Sequence, residues 1–320
     1  MLIKAVTYFV LALLFACSSA VPVNKQTPPE LASLFNQYWE EHNKFFPLDA
    51  TQQGDNRFNN LLPNDQTEEF RSELRRFYDG YLTKIKTFKR EDLNPDDQIS
   101  YDIFTYEMKM QAKGLNDDSY MIPFHQFWGL PLTLGQMGSG ESFQPFKTVE
   151  DYENWLGRVK GFSAWTDSAI ANFRRGLKTG FVLPKMLVQR MIPEMSRMVV
   201  RDPKRSLFYG PITKLPAEFG PEEKKRLTTL YTDAIQKELV PSYKKLRDFL
   251  TREYLPRARR SSGLNALKTG PQIYSHLVKY WTTTDMDPKT IHEIGLTEVK
   301  RIRAEMESVS AKAGFPTRKK

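Results

Sequence analysis

The sequence predicts an all-α protein, an elongated multi-helix domain with long loops rich in proline, glycine and aromatic residues. Three observations predict it. Apolar residues recur at three-and-four spacing along almost the whole chain, sustained period-two alternation and a βαβ rhythm are missing, and prolines and capping residues sit where the apolar stripes begin. The 320 residues are 40% apolar, enough for a packed core without covalent staples, and a single cysteine excludes a disulfide scaffold.

Residues 1–20 read as an export signal rather than as part of the fold. Lys4 supplies the positive n-region, Val6 to Ala16 the apolar h-region, and Cys17-Ser18-Ser19-Ala20 follows. The apolar run is too short to span a bilayer, which takes about 20 residues. Leu14-Phe15-Ala16-Cys17 resembles a lipoprotein signal-peptidase box. Cys17 is therefore the expected lipid attachment site, on an exported cell-envelope protein anchored to a membrane. Ser18-x-Ala20 also suits the ordinary signal peptidase, so a soluble periplasmic or secreted product cleaved after Ala20 is the alternative. Residues 21–27 form a tether, residues 28–315 the helical domain, and residues 316–320 a basic tail.

Within the domain each element has a local reason. Thr27-Pro28-Pro29-Glu30 is a start signal, followed by Leu31, Leu34, Phe35, Tyr38, Trp39 and His42 on one face. Asp65 is the expected cap of a helix with Phe70, Leu74, Phe77, Tyr78, Tyr81, Leu82, Ile85 and Phe88 inward. Asn94-Pro95 opens a third, with Ile99, Ile103, Tyr106 and Met110 inward, and residues 115–147 read as a long irregular stretch. Thr148-Val149-Glu150-Asp151 resembles a capping box before Tyr152, Trp155, Leu156 and Val159. A separate helix carries Phe162, Trp165, Ala169, Phe173 and Leu177 as far as Gly180. Leu183-Pro184 starts another, which Pro193 is expected to kink or end, and residues 201–220 read as loop. Pro221 opens the longest pattern, bent at Pro241. Pro271 opens a short helix, and Asp287-Pro288 caps a last one with Ile291, Ile294, Val299, Ile302, Met306 and Val309 inward, stopped by Gly314.

Charge and motifs then exclude several chemistries. Lys and Arg outnumber Asp and Glu by 47 to 38, but the basic residues are mixed with acids along helices, which is not a nucleic-acid footprint. The densest cluster, Arg252, Arg257, Arg259 and Arg260, reads as the basic end of a long helix, where cations complement unpaired carbonyls. There is no Walker sequence, and Gly138-Ser139-Gly140 satisfies neither a dinucleotide fingerprint nor a nucleophile elbow. No catalytic residue can be assigned.

Metal ligation fails on spacing. The four histidines are His42, His125, His276 and His292, and none has another three to five residues away. His292-Glu293 begins like a zinc-peptidase helix, but Leu296 stands where the second imidazole should be. His42 reads as a hydrogen-bonded core histidine. His125, Gln126, Trp128 and Gln136, in the long aromatic stretch, are the candidates for lining a cleft, against the alternative that the aromatics merely anchor the segment on the helices.

Several motifs together resemble a known family. They are Pro47-Leu48-Asp49-Ala50-Thr51-Gln52-Gln53-Gly54-Asp55, the helix start from Thr148 to Val159, Gly180-Phe181-Val182-Leu183-Pro184, Glu253-Tyr254-Leu255-Pro256 with Arg259, and Ile291-His292-Glu293-Ile294-Gly295-Leu296-Thr297-Glu298-Val299 after Tyr274 and Thr282-Thr283-Thr284. Scattered over residues 30–313, they resemble the bacterial domain of unknown function 885. The resemblance implies an exported, often lipid-anchored helical protein related to zinc metallopeptidases, whose His-Glu-x-x-His helix lies in the C-terminal half. That motif would set two imidazoles and a general-base carboxylate around a zinc-bound water. The motif is absent here. The expectation is thus an N-terminal portion that is inactive alone, with zinc confined to the missing C-terminal half and a peptide or a complementing C-terminal chain as partner. The alternative is a free-standing helical binding or scaffold lipoprotein of the envelope. The first predicts an exposed apolar face, the second a closed core.

Overall fold

The computed structural model describes residues 26–315, so the signal segment, Cys17, most of the tether and the basic tail lie outside the described residues. The described residues form an all-helical protein: α1 Pro29–Phe45, α2 Pro47–Gln52, α3 Glu68–Ile85, α4 Pro95–Gly114, α5 Leu130–Gly138, α6 Val149–Thr179, α7 Lys185–Arg197, α8 Gly210–Thr213, α9 Pro221–Ala234, α10 Val240–Phe249, α11 Gly270–Thr282 and α12 Pro288–Lys312. Two large cores, and a small cluster of Met121, Phe181, Leu267 and Ile273, hold all of them but α12. In the first, α1, α3 and α4 pack Leu31, Leu34, Leu74, Phe77, Tyr78, Tyr81, Ile85 and Met108 together. Aromatic pairs such as Tyr38–Tyr81 and Tyr38–Phe104 meet edge to face, the geometry the ring quadrupole favours. The second and larger core surrounds α6. Tyr152, Trp155, Val159, Phe162, Trp165, Ala169, Ile170 and Phe173 are buried at helical spacing against α5, α7, α9 and α10.

Several starts fall where the residues dictate. Asn94 accepts from the Asp97 amide at 2.9 Å, and Asp287 accepts from the Lys289 and Thr290 amides at 2.9 and 3.2 Å. The capping box closes fully: Thr148 Oγ1 accepts from the Asp151 amide at 3.2 Å, and Asp151 Oδ2 accepts from the Thr148 amide at 2.9 Å. The helix it opens runs unbroken for 31 residues and merges the two expected there. It ends at Gly180, whose φ of 84° is the left-handed cap that glycine adopts freely.

Other expectations are corrected. Thr67, not Asp65, caps α3 by accepting from the Phe70 amide at 3.1 Å, because Asp65 is drawn away to Trp165. Ile99 and Ile103 are 57% and 59% exposed. The side of α4 facing the first core carries Phe104, Met108 and Ala112 instead, while of the expected stripe Met110 is buried and Tyr106 half-buried. The 115–147 stretch is not wholly irregular, since it contains α5 and a 3₁₀ turn at Asp118–Met121. Residues 201–220 likewise hold short turns and α8. Pro193 neither ends α7 nor stops it before Arg197. The long helix after Pro221 meets its prolines by widening. A π segment at Ile235–Leu239 precedes Pro241 and another at Leu250–Tyr254 precedes Pro256, and the wider turn makes room for a ring that would clash with the carbonyl four residues back.

His42 packs among Tyr38, Phe46 and Phe77, with its Nδ1 buried and unpartnered and the Asn43 side chain as its hydrogen-bonding neighbour. Burial lowers its pKa, and the nearby Asp49 opposes that shift. Within the arginine cluster Arg257 meets a carbonyl of its own helix, while Arg259 reaches across to the loop before α7. Arg257 Nε donates to the Glu253 carbonyl at 3.1 Å and Arg259 Nε to the Val182 carbonyl at 2.9 Å.

The largest departure is α12. None of its 25 residues is buried, and Ile294, Val299, Ile302, Met306 and Val309 are exposed along the face expected to point inward. The amphipathic pattern is present, but no described element covers it.

Candidate functional site

A hollow that joins sequence-predicted residues to charged groups lies beside an internal arginine. Arg158 lies on the apolar stripe of α6, three residues after Trp155 and four before Phe162, and is fully buried. Its guanidinium meets only neutral acceptors. Nε donates to the Leu61 carbonyl at 3.2 Å, and Nη2 donates to Thr51 Oγ1, the Pro47 carbonyl and the Phe58 carbonyl at 2.7, 3.0 and 3.2 Å. Nη1 donates to Gln144 Oε1. Burial pushes its pKa down to about 10, still well above physiological pH, so it remains a cation. A planar five-donor group can satisfy so many divergent carbonyls, which a lysine cannot. Arg158 thereby ties the 47–61 segment to α6.

Two small residues set how close that segment comes. A Cβ on Gly157 would lie 2.9 Å from the Asn60 carbonyl oxygen, and one on Gly161 would lie 3.0 Å from that of Leu62. The chain from the end of α1 through Asp65 therefore lies directly on α6 and forms one wall of a cleft of about 470 Å³. The opposite wall is the turn into α5. There His125 and Trp128 exchange backbone bonds, with the His125 amide to the Trp128 carbonyl at 2.9 Å and the Trp128 amide to the His125 carbonyl at 3.2 Å. Gly129 follows at φ 124°, where any Cβ would run into Phe124.

This geometry divides the four sequence candidates. Trp128 and Gln136 line the cleft. His125 does not: its Nδ1 accepts from the Phe127 amide at 3.2 Å and so braces the turn, and burial lowers its pKa. Gln126 is also off the cleft, with Oε1 buried and unpartnered. Phe124 anchors the turn in the large core, while Phe127 and Trp128 at its tip are 84% and 63% exposed.

Sequence reasoning missed the charged residues of the cleft, Asp49 and Asp65. Asp65 Oδ1 accepts from Trp165 Nε1 at 2.6 Å and from Gln66 Nε2 at 2.9 Å, and no side-chain donor among the described residues reaches Oδ2. The Asp49 carboxylate makes no hydrogen bond or ion pair with any described residue, and the nearby His42 is the one group that favours its charge. Enclosure by surrounding protein raises the pKa of both, offset at Asp65 by its two hydrogen bonds. The available signals were a charged residue, Arg158, on an otherwise apolar stripe, and an acid inside the Pro47 to Asp55 motif.

The donor set does not fit a zinc centre. No group of three or more His, Cys, Asp or Glu residues is placed to hold a metal among the described residues, and the histidines sit apart on α1, the α5 turn, α11 and α12. Nor is any described helix long and apolar enough to cross a membrane.

Comparison with known proteins places this architecture. The fold is similar to the crystal structure of "the putative lipoprotein from Colwellia psychrerythraea", with a TM-score of 0.73, at 20% identity. The match covers 89% of this chain and 51% of that one, so the chain spans about half the length of its structural relative. No curated protein matches the chain. A family model described as "Bacterial protein of unknown function (DUF885)" matches residues 47–320, and with most of its length inside that match the chain belongs to this family.

Proposed function

We propose that this chain is the non-catalytic helical half of an exported, zinc-peptidase-like envelope protein, attached through a lipid on Cys17. The observation that carries the reading is α12, whose apolar face is exposed over 25 residues in a chain spanning 51% of its structural relative. Exposed apolar surface on that scale marks a docking site. The occupant this reading assigns is the counterpart of the relative's other half, carried on the same or a separate polypeptide. The scattered histidines and the lack of a metal-donor group among the described residues support assigning zinc and hydrolysis to that counterpart. A free-standing scaffold would be expected to close its core, and α12 is not closed.

The test is reconstitution. This chain and the C-terminal half of a full-length family member are purified separately and mixed. The chain alone should bind less than one zinc in ten molecules and leave a peptide library intact. The mixture should elute as a one-to-one complex that Ile302→Asp and Val309→Asp each weaken at least tenfold. Stoichiometric zinc and peptide cleavage by the chain alone would overturn the reading, and so would a complex indifferent to both α12 substitutions. Replacement of Cys17 by serine should move the protein from the membrane fraction to the soluble one.

A further inference from the structure

We infer that the cleft between α2, α5 and α6 is a binding site for an organic cation, an alkylammonium or guanidinium group on an aliphatic stem. No residue of α11 or α12 lines it, so the inference stands apart from the docking reading.

Three features of the cleft argue for it. The first is charge. The chain carries a net +9, yet the lining holds two carboxylates, Asp49 and Asp65, and no lysine, arginine or histidine. The second is the state of those carboxylates. Both keep solvent-exposed surface despite the protein around them, so a ligand can reach them. Asp49 has no ion pair or hydrogen-bond donor among the described residues, and Asp65 takes both its side-chain hydrogen bonds on Oδ1. Arg71, which lends Asp65 some long-range attraction, is committed to Glu68 at 2.6 Å and to the face of Tyr120. The third is the wall. Phe45, Phe46 and Trp128 line the cleft together with the acids, and aromatic faces attract cations while their apolar bodies shed water from an alkyl stem.

An anion is repelled by this lining, and a neutral apolar ligand would strip water from two carboxylates without replacing it. A metal ion would need donors beyond two carboxylates, and the described residues group no third one with them. The volume of about 470 Å³ falls in the range of small-ligand sites and admits a group the size of a lysine or arginine side chain. The exposed Trp128 at the rim is placed to fold over the stem, and the turn that carries it is fixed by the His125–Trp128 backbone pair.

Titration of ¹⁵N-labelled protein tests this, read at the indole N–H signals and assigned with Trp128→Phe. The probes are n-butylammonium, Nα-acetyl-lysinamide, the dipeptide amide glycyl-leucinamide, and n-pentanol as neutral isostere. Saturable shifts of the Trp128 and Trp165 signals are expected with at least one cation, ten times weaker or absent with n-pentanol. Asp49→Asn and Asp65→Asn should each weaken binding at least tenfold. The asparagine at 65 can still accept from Trp165, so its loss reports charge rather than collapse, and circular dichroism checks the fold. Glu141→Gln, outside the cleft, should change nothing. Preference for acetyl-lysinamide identifies a basic side chain of a peptide, preference for glycyl-leucinamide a peptide amino terminus, and equal binding of butylammonium a free amine. Equal titration by pentanol, no saturable shift with any cation, or indifference to both asparagine variants would overturn the assignment.

Discussion

Helices α6 and α12 are both long, capped by an acidic or hydroxyl side chain, and striped with apolar residues, yet they end in opposite conditions. In α6 the stripe from Tyr152 to Phe173 is buried, and a charged residue on it, Arg158, has all its acceptors supplied by neighbours. In α12 an equally regular stripe is left largely exposed by the described residues. Pattern makes a helix amphipathic, but only a partner turns the pattern into stability. The difference is one of company, and measurements on the two helices can test it.

The largest effect should come from the buried stripe. Phe162→Ala is expected to cost about 3–5 kcal/mol in urea unfolding, since it removes a fully enclosed ring and leaves a cavity. Arg158→Met should cost about 3 kcal/mol, because five oxygens lose their donor at once and the 47–61 wall is released. Ile302→Ala in α12 should stay within about 0.5 kcal/mol for the chain alone. A cost near that of Phe162→Ala would mean that α12 is covered in solution, and the contrast would fail. Hydrogen exchange sharpens the same point: amides in the middle of α6 should open only with global unfolding, and those of α12 far more readily.

The smallest effect concerns Asp49. Its folded pKa is raised by enclosure, so the folded state favours the protonated acid. The corresponding stability is complete below the unfolded value, about 3.9, and is lost as pH rises through the folded one. Asp49→Asn should therefore raise the Tm at pH 7 by about 1 °C and leave it unchanged near pH 3. The open side of the cleft keeps the effect small. A lower Tm at pH 7 would show that the carboxylate has a partner in the free protein.

The sequence made most of the fold legible and part of the cleft. The Thr148 box, the Asn94 and Asp287 caps and the Gly180 stop are local signals, and local geometry honours them. Ile99 and Ile103 escaped because a hydrophobic stripe says only that some face is buried, and tertiary contact chose a different one. Asp65 was misassigned because a capping oxygen and an indole acceptor are the same chemical group, and the choice between Phe70 and Trp165 depends on a helix a hundred residues away. Trp128 and Gln136 could be picked out as polar or aromatic residues in a long loop. Asp49 became visible only once Arg158 had placed its segment against α6.

The bare helix also has a mechanical side. At 1.5 Å per residue, 25 residues reach about 37 Å, and a 10° swing about the Asp287 end would carry the far tip about 6 Å. Whatever lies against that ridge therefore does more than hide it from water. It fixes an aim, making a stiff rod into a surveyed distance between two bodies.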